Sequence, residues 1–459
     1  MSQRTLYNDL LLGLITFHGI ESELIKSAEL NRLNHIKQLS TLYLFNSNAI
    51  HTRFHHSLGV FGITKIVIGA QSSDIWETIA PDRELLLTAA LCHDIGHSAW
   101  SHVGEVFTQM RGEGISHDEI SAKLVLGEYD EYLTKWKNGG NRICEIIKDE
   151  NKLNMIADII RGDPPVPPFK DDGVTPLIEE EREKIVMEKT YLGNMISGPA
   201  DLDRADFLMR DSFMCSSLPG LIDVRSIAGN TTIIQEPGTN TKIFAYNDLC
   251  FAESMLIARE LLYPSVYLES NNLVAEEVLM RALNKLYPSD FDIFKFWFST
   301  DDQVLKEMYE SEDDFIKRVC RLYDTYQTYE LILDTNLSDH RFNATGVKNI
   351  RYIGSKKGRS NILKLEEDVA NEIDTIEKED LVIGTWIWAR PRLMEAAIFH
   401  NQKLSTLERE SALLPVLETE LYICGRSKIV IGLYKKKLEK REEVIETTIR
   451  LLNNRNYLL

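Results

Sequence analysis

The residues best equipped for chemistry stand at the end of an apolar run. Leu85-Leu86-Leu87-Thr88-Ala89-Ala90-Leu91-Cys92 is almost wholly nonpolar, and His93-Asp94-Ile95-Gly96-His97 follows it. Such a run predicts a buried helix whose terminal carbonyls carry partial negative charge and favour a cation, with Gly96 as its stop residue. A carboxylate buried there needs a partner, because an unpaired charge in a low-dielectric interior is very costly. The dipeptide alone says little. The chain has 11 histidines, so roughly 0.7 His-Asp pairs arise by chance at average composition, and a second pair, His117-Asp118, is present. What sets His93-Asp94 apart is its company: Arg53-Phe54-His55-His56-Ser57 upstream, and Asp201-Leu202-Asp203-Arg204-Ala205-Asp206-Phe207-Leu208-Met209-Arg210-Asp211 downstream. Two imidazoles and two carboxylates drawn from such segments form a mixed N/O site suited to one divalent ion (Mg, Mn, Fe, Zn or Ni), with positions open for water and a phosphate oxygen.

Around this core lie further candidates. His97, His102 and His117 are imidazoles placed to bind phosphate or carry protons near neutral pH. If the chain is helical there, His102 and Glu105 share a face, which allows a carboxylate-oriented histidine. His117 follows Ser116, a good N-cap with Glu119 three residues on, so a helix start explains the same residues and both readings stand together. Asp203, Phe207 and Asp211 fall along one helical face. Arg53 and Arg204 offer planar, permanently charged donors for phosphate, or else ordinary salt bridges. Arg259, Tyr263 and Tyr267 recur at four-residue intervals, although Pro264 interrupts the helix they would share.

The elements that must position these groups are mostly helices. From Glu21 to about Gly162 apolar residues recur at helical spacing, and the prolines of Asp163-Pro164-Pro165-Val166-Pro167-Pro168 end it in a loop at about 163–178. Helical character resumes near Glu179, breaks at Ser197-Gly198-Pro199 and continues to Met214. Thr231–Ile234 and Lys242–Tyr246 flank Glu236-Pro237-Gly238-Thr239 as a β-hairpin, and helices follow from Leu249 to about Leu286. Beyond residue 340, Asn349–Ile353, Leu381–Ile387, Glu420–Cys424 and Lys428–Leu433 read as strands and Lys435–Asn453 as a closing helix. The expectation is a mainly α protein: a helical bundle with a small hairpin over 1–290, and an α+β lobe over 291–459 serving oligomerisation or regulation.

Composition narrows the class. The 459 residues are 44% hydrophobic and 27% charged, an ordinary globular balance. A formal charge of −18 opposes broad binding to nucleic acid and means that an anionic substrate needs local cations. The six cysteines are scattered without CxxC spacing, which suggests reduced thiols. No run reaches the length of a membrane helix and no signal peptide is evident, so a cytoplasmic location is expected.

The motifs RFHHSLGV, LCHDIGH, the following SH and DLDRADFLMRDS together resemble the HD-domain deoxynucleoside triphosphate triphosphohydrolases, over about Leu30 to Leu283. That resemblance places the metal ligands on His56, rather than His55, and on His93, Asp94 and Asp203. It implies phosphate contacts or proton transfer by His97, His102 and His117, with Glu105 where the family usually has Asp. It implies 3′-hydroxyl contacts for Gln38 and Asp211, a wall against a 2′-hydroxyl from Leu39 and Tyr267, and a phosphate contact for Arg259. Phe207 replaces the family's Tyr, and Glu269-Ser270 replaces its His-Lys. The implied reaction turns a deoxynucleotide into deoxynucleoside and tripolyphosphate, in a tetramer or hexamer with a possible nucleotide effector and a role in phage defence. The rivals are an HD phosphohydrolase acting on nucleoside monophosphates or cyclic nucleotides, and a nucleotide-sensing regulatory protein.

Overall fold

The computed structural model describes residues 4–133, 136, 140–170, 175–217, 222–239, 241–325, 328–355, 358–455 and 457. It is mainly helical, as the periodicity requires. After a short antiparallel hairpin, β1 (Arg4–Asp9) and β2 (Gly13–His18), the bundle opens with α1 (Arg53–Gly69). Thr52 starts α1 by donating its backbone N–H to His55 Nδ1 at 3.2 Å. α1 packs on α2 (Arg83–Cys92), in which every residue from Leu85 to Cys92 is buried. Hydrophobicity all round a helix leaves it no solvent face, so α2 becomes the centre of the bundle. Each leucine buried there contributes about 2 kcal/mol.

Five more helices complete the frame of the site. α3 (His102–Met110) and α4 (His117–Val125) follow α2 closely. Ser116 caps α4 by accepting from Glu119 N at 3.4 Å, while the Glu119 carboxylate turns to Arg161 instead of closing a capping box. Gly96 serves a purpose other than stopping the helix, which ends at Cys92. A Cβ on it would lie 2.3 Å from Ser121 N and 2.4 Å from His117 O, so its missing side chain lets α4 close onto the His-Asp turn. α5 (Glu150–Arg161) ends at Gly162, whose φ of 83° is the left-handed conformation that glycine adopts freely. The proline loop follows as expected, and its residues 171–174 lie outside the described residues. α6 (Glu179–Ser197) and α7 (Leu202–Met214) then return to α2 and α1.

The hairpin β3 (Thr231–Gln235) and β4 (Lys242–Tyr246) forms where expected. α8 (Leu249–Leu262) gives way at Pro264 to a wide turn over Tyr263–Tyr267, in which Leu268 N bonds Tyr263 O at 2.8 Å. α9 (Ser270–Leu286) then runs against a three-stranded antiparallel sheet of β5 (Tyr329–Asn336), β6 (Leu381–Trp386) and the later central β9 (Lys428–Tyr434). β7 (Ala397–His400) and β8 (Lys403–Thr406) extend the hairpin to four strands, joining it through a parallel bridge from Tyr246 to Ile398.

Two expected strands are helices. Asn349–Ile353 lies in α10 (Ala344–Ile353), capped by Asn343 accepting from Gly346 N at 2.9 Å. Asn349 also donates at 2.7 Å to Leu452 O, at the end of the closing helix Arg441–Asn454. Glu420–Cys424 lies in the helix Glu420–Arg426, capped by Thr419. Runs of five residues with two or three apolar members fit either periodicity, and the caps and tertiary contacts decide. All six cysteines are free, and Cys250 is exposed.

Candidate active site

The end of α2, the start of α1 and the start of α7 converge. His56 Nε2 and His93 Nε2 are 3.3 Å apart. Asp203 Oδ1 lies 2.8 Å from His56 Nε2 and 3.6 Å from His93 Nε2, and Asp94 Oδ1 lies 3.6 Å from His93 Nε2. These separations fit a divalent ion, because ligand bonds of about 2.1 Å meeting at right angles put donors about 3 Å apart. Each imidazole is aimed by its other nitrogen: His56 Nδ1 bonds Asp206 Oδ2 at 2.8 Å and His93 Nδ1 bonds Ala90 O at 2.9 Å. Such partners fix the tautomer and turn Nε2 toward the ion. Asp206 is in turn gripped by Arg210, which also pairs with Asp9 of β1. Burial alone would lower the pKa of His56, but hydrogen bonds to Asp203 and Asp206 outweigh it and push the imidazole up to about 10. The carboxylate field that does this also attracts a cation. Burial works to raise Asp94, but Arg53, His97 and His93 hold it well below the usual carboxylate range. His55, the alternative ligand, points away to Thr52.

Beside this centre is a second histidine group. His97 stacks on His117 with ring centroids 4.0 Å apart, and His102 meets both edge-on. Glu105 Oε2 ties the outer pair together, accepting from His117 Nδ1 at 2.9 Å and lying 3.5 Å from His102 Nδ1. His117 Nε2 faces Asp118 at 3.2 Å. Burial lowers the His117 pKa, yet bonds to Asp118 and Glu105 prevail and push it up to about 10. His97 is fully buried, with Nε2 3.2 Å from Asp94 Oδ1. The turn that presents His102 has Trp100 and Ser101 at φ of 61° and 57°, strain of the kind that persists at working sites.

One cavity of about 510 Å³ unites these groups. His56, His93, Asp94 and Asp203 line it, as do Gln38, Leu39, Arg53, His102, His117, Arg204, Phe207, Asp211, Tyr263 and Tyr267. Arg53 reaches Asp94 Oδ2 at 2.8 Å and Ser101 Oγ at 3.0 Å. Arg204 pairs with Asp201 at 2.6 Å. Asp211 accepts from Tyr267 Oη at 2.5 Å and meets His51 Nε2 at 2.7 Å. His97 and Glu105 stand behind the wall. Arg259 is placed elsewhere, over the Tyr263 ring at 4.1 Å and on Glu260.

Sequence reasoning gave no role to Asp206, His51 or Ser101. Asp206 stands one turn after Asp203, a spacing that could have exposed it, and Ser101 belongs to the Ser101-His102 motif already singled out, whereas His51 carries no local signal. It also left unread the far wall, where Asn272, Glu276, Arg359, Thr385, Trp386 and Arg392 line the same cavity.

Residues 53–196 match the HD domain, and residues 234–456 match the HD associated region. The chain thus carries an HD domain followed by an HD associated region. Of the two His-Asp pairs inside the matched segment, His93-Asp94 is the one that meets His56 and Asp203. The chain is 26% identical to the uncharacterized protein MG461 of Mycoplasma genitalium over 321 residues, 68% of this chain and 67% of that one. It is 30% identical to the mouse deoxynucleoside triphosphate triphosphohydrolase SAMHD1 over 212 residues, 45% of this chain and 31% of that enzyme. Matches to other uncharacterized relatives span between 51% and 58% of their lengths. A hypothetical protein of Aquifex aeolicus shares the fold, with a TM-score of 0.67 at 21% identity over 96% of this chain and 100% of that one. Among the described residues, no helix is long and apolar enough to cross a membrane.

Proposed function

We propose that this HD-domain protein is a metal-dependent deoxynucleoside triphosphate triphosphohydrolase. The observation that carries the reading is the shared cavity: the four candidate ligands and the groups suited to a deoxyribose, Gln38, Leu39, Asp211 and Tyr267, open into one space. The similarity to an enzyme named for that reaction supports it.

In this reading water adds to the α-phosphorus and the bond from phosphorus to the 5′-oxygen breaks, giving deoxynucleoside and tripolyphosphate. His56, His93, Asp94 and Asp203 would hold a divalent cation, which would supply Lewis acidity to a phosphoryl oxygen and make water a stronger nucleophile. Arg53, fixed by Asp94 and Ser101, faces the phosphates as a rigid donor. His117, charged at neutral pH, adds positive potential. His102 lines the cavity and burial lowers its pKa below the ordinary imidazole value, so with Nδ1 facing Glu105 its unprotonated Nε2 accepts the proton of the attacking water and returns it to the departing 5′-oxygen. The free lone pairs of Asp211 accept the 3′-hydroxyl, and Leu39 denies a 2′-hydroxyl both room and partner. We also propose a homo-oligomer and a nucleotide effector, testable by light scattering with and without nucleotide.

The test is incubation of metal-loaded protein with each dNTP and NTP, alone and in mixtures, with products resolved by chromatography. Tripolyphosphate from dNTPs is expected. Release of pyrophosphate or orthophosphate, or turnover of monophosphates alone, would overturn the assignment.

A further inference from the structure

We propose that Asp301, which lies in the HD associated region, is a positioning residue for the HD centre: its two carboxylate oxygens clamp the Trp100-Ser101 turn to the Lys37-Gln38-Leu39 segment and so set the spacing of two walls of the cavity. This rests on the hydrolase reading of the site and adds a residue that stands behind the groups meeting the substrate.

Asp301 is 6% exposed. Its Oδ1 accepts from Trp100 N at 2.7 Å and its Oδ2 from Lys37 N at 2.8 Å. Each partner stands directly before working residues. Trp100 precedes Ser101, which holds Arg53 at 3.0 Å, and His102; Lys37 precedes Gln38 and Leu39, which line the cavity. The two segments also meet each other, Ser101 Oγ donating to Gln38 O at 3.4 Å. Trp100 and Ser101 have φ of 61° and 57°, a conformation that residues other than glycine keep only when their surroundings impose it. A charged acceptor on Trp100 N supplies that constraint.

A role in starting its own helix does not account for Asp301. It opens the helix Asp301–Glu310, but Gln303 closes that start by accepting from Thr300 N at 3.1 Å, and both Asp301 oxygens turn to distant chain. Its location is fixed relative to the metal ligands as well. Arg32 donates to Trp297 O at 2.6 Å and Ser299 O at 3.1 Å, and Trp297 Nε1 donates to Gly96 O at 2.8 Å, two residues beyond Asp94. Burial pushes the Asp301 carboxyl up to about 6 against the bonds from Lys37 and Trp100. A charge held in such a place costs stability, which a neutral cap would avoid.

The experiment compares wild type with Asp301→Asn and Asp301→Ser, which can accept from one of the two N–H groups but not from both, and with Gln303→Ala, which opens the start of the same helix. Turnover of a dNTP and of the matching NTP is measured on metal-saturated protein well below the melting midpoint. Whichever Asp301 variant folds should lose kcat by roughly tenfold to a hundredfold, keep its bound metal, and discriminate less between the two sugars, because Leu39 moves with Lys37. Gln303→Ala should melt earlier and keep both kcat and discrimination. Unchanged kcat in the Asp301 variant, loss of its metal, an equal kcat loss in Gln303→Ala, or failure of both Asp301 variants to fold overturns the positioning role and leaves the reaction class intact. If the wild type hydrolyses no nucleotide, the hydrolase reading fails instead, and calorimetric binding of inorganic tripolyphosphate to metal-loaded protein reads the clamp. Binding weakened roughly tenfold in the Asp301 variant supports it, and equal or absent binding overturns it.

Discussion

Two histidine clusters lie side by side, made of the same side chain and prepared for opposite tasks. In the centre of His56 and His93, each ring spends its outer nitrogen on a fixed acceptor, Asp206 or the Ala90 carbonyl, and turns the other inward. In the cluster of His97, His102 and His117, the rings lie against one another and Glu105 binds the outer pair. The first geometry collects lone pairs around a point. The second leaves an imidazole open to the cavity and places a charged one beside it. In the proposed reading, the acceptor behind each ring, rather than the ring itself, is what separates a histidine suited to ligate metal from one suited to handle phosphate and protons.

The comparison can be broken by removing one cluster at a time. Asp94→Ala should cost the most: losing metal-derived stabilisation of several kcal/mol lowers turnover roughly a thousandfold, and elemental analysis should find the bound metal gone. His102→Gln should lower kcat by about a hundredfold or more with metal content unchanged; loss of metal in that variant would merge the two clusters into one. Asp206→Asn should weaken metal affinity by about 10- to 100-fold, read by chelator competition, because His56 loses the charged acceptor behind its ring.

The smallest effect is in pH. His117 has its folded pKa raised from 6.5 to about 10, so its pairing with Glu105 and Asp118 stabilises the fold fully below 6.5 and ceases to do so as pH climbs through 10. Urea unfolding should therefore separate wild type from His117→Gln most near pH 6 and least near pH 10. A constant gap would show that His117 carries no standing charge.

How much was legible from sequence depended on whether the information was local. The apolar helix Leu85–Cys92, the break at Pro264 and the hairpin at Thr231–Tyr246 each follow from periodicity or from proline and turn chemistry, and each is present. The strand reading failed at Asn349–Ile353 and Glu420–Cys424 because short apolar runs do not specify their own period; caps at Asn343 and Thr419 and packing against distant chain settled them as helices. Of the candidate site residues, Arg259 was taken by the Tyr263 ring and Glu260, a competition that spacing does not reveal.

The sequence by itself determined the chemical inventory and the helices that carry it, because ligand type, helical period and capping are properties of neighbouring residues. Only the tertiary structure decided that His56 faces inward while His55 does not, that Asp206 and His51 stand behind the working groups, and that a wall from residues 272–392 closes the cavity. Those facts depend on side chains far apart along the chain meeting at a few ångströms, and such meetings are set by how the whole core packs.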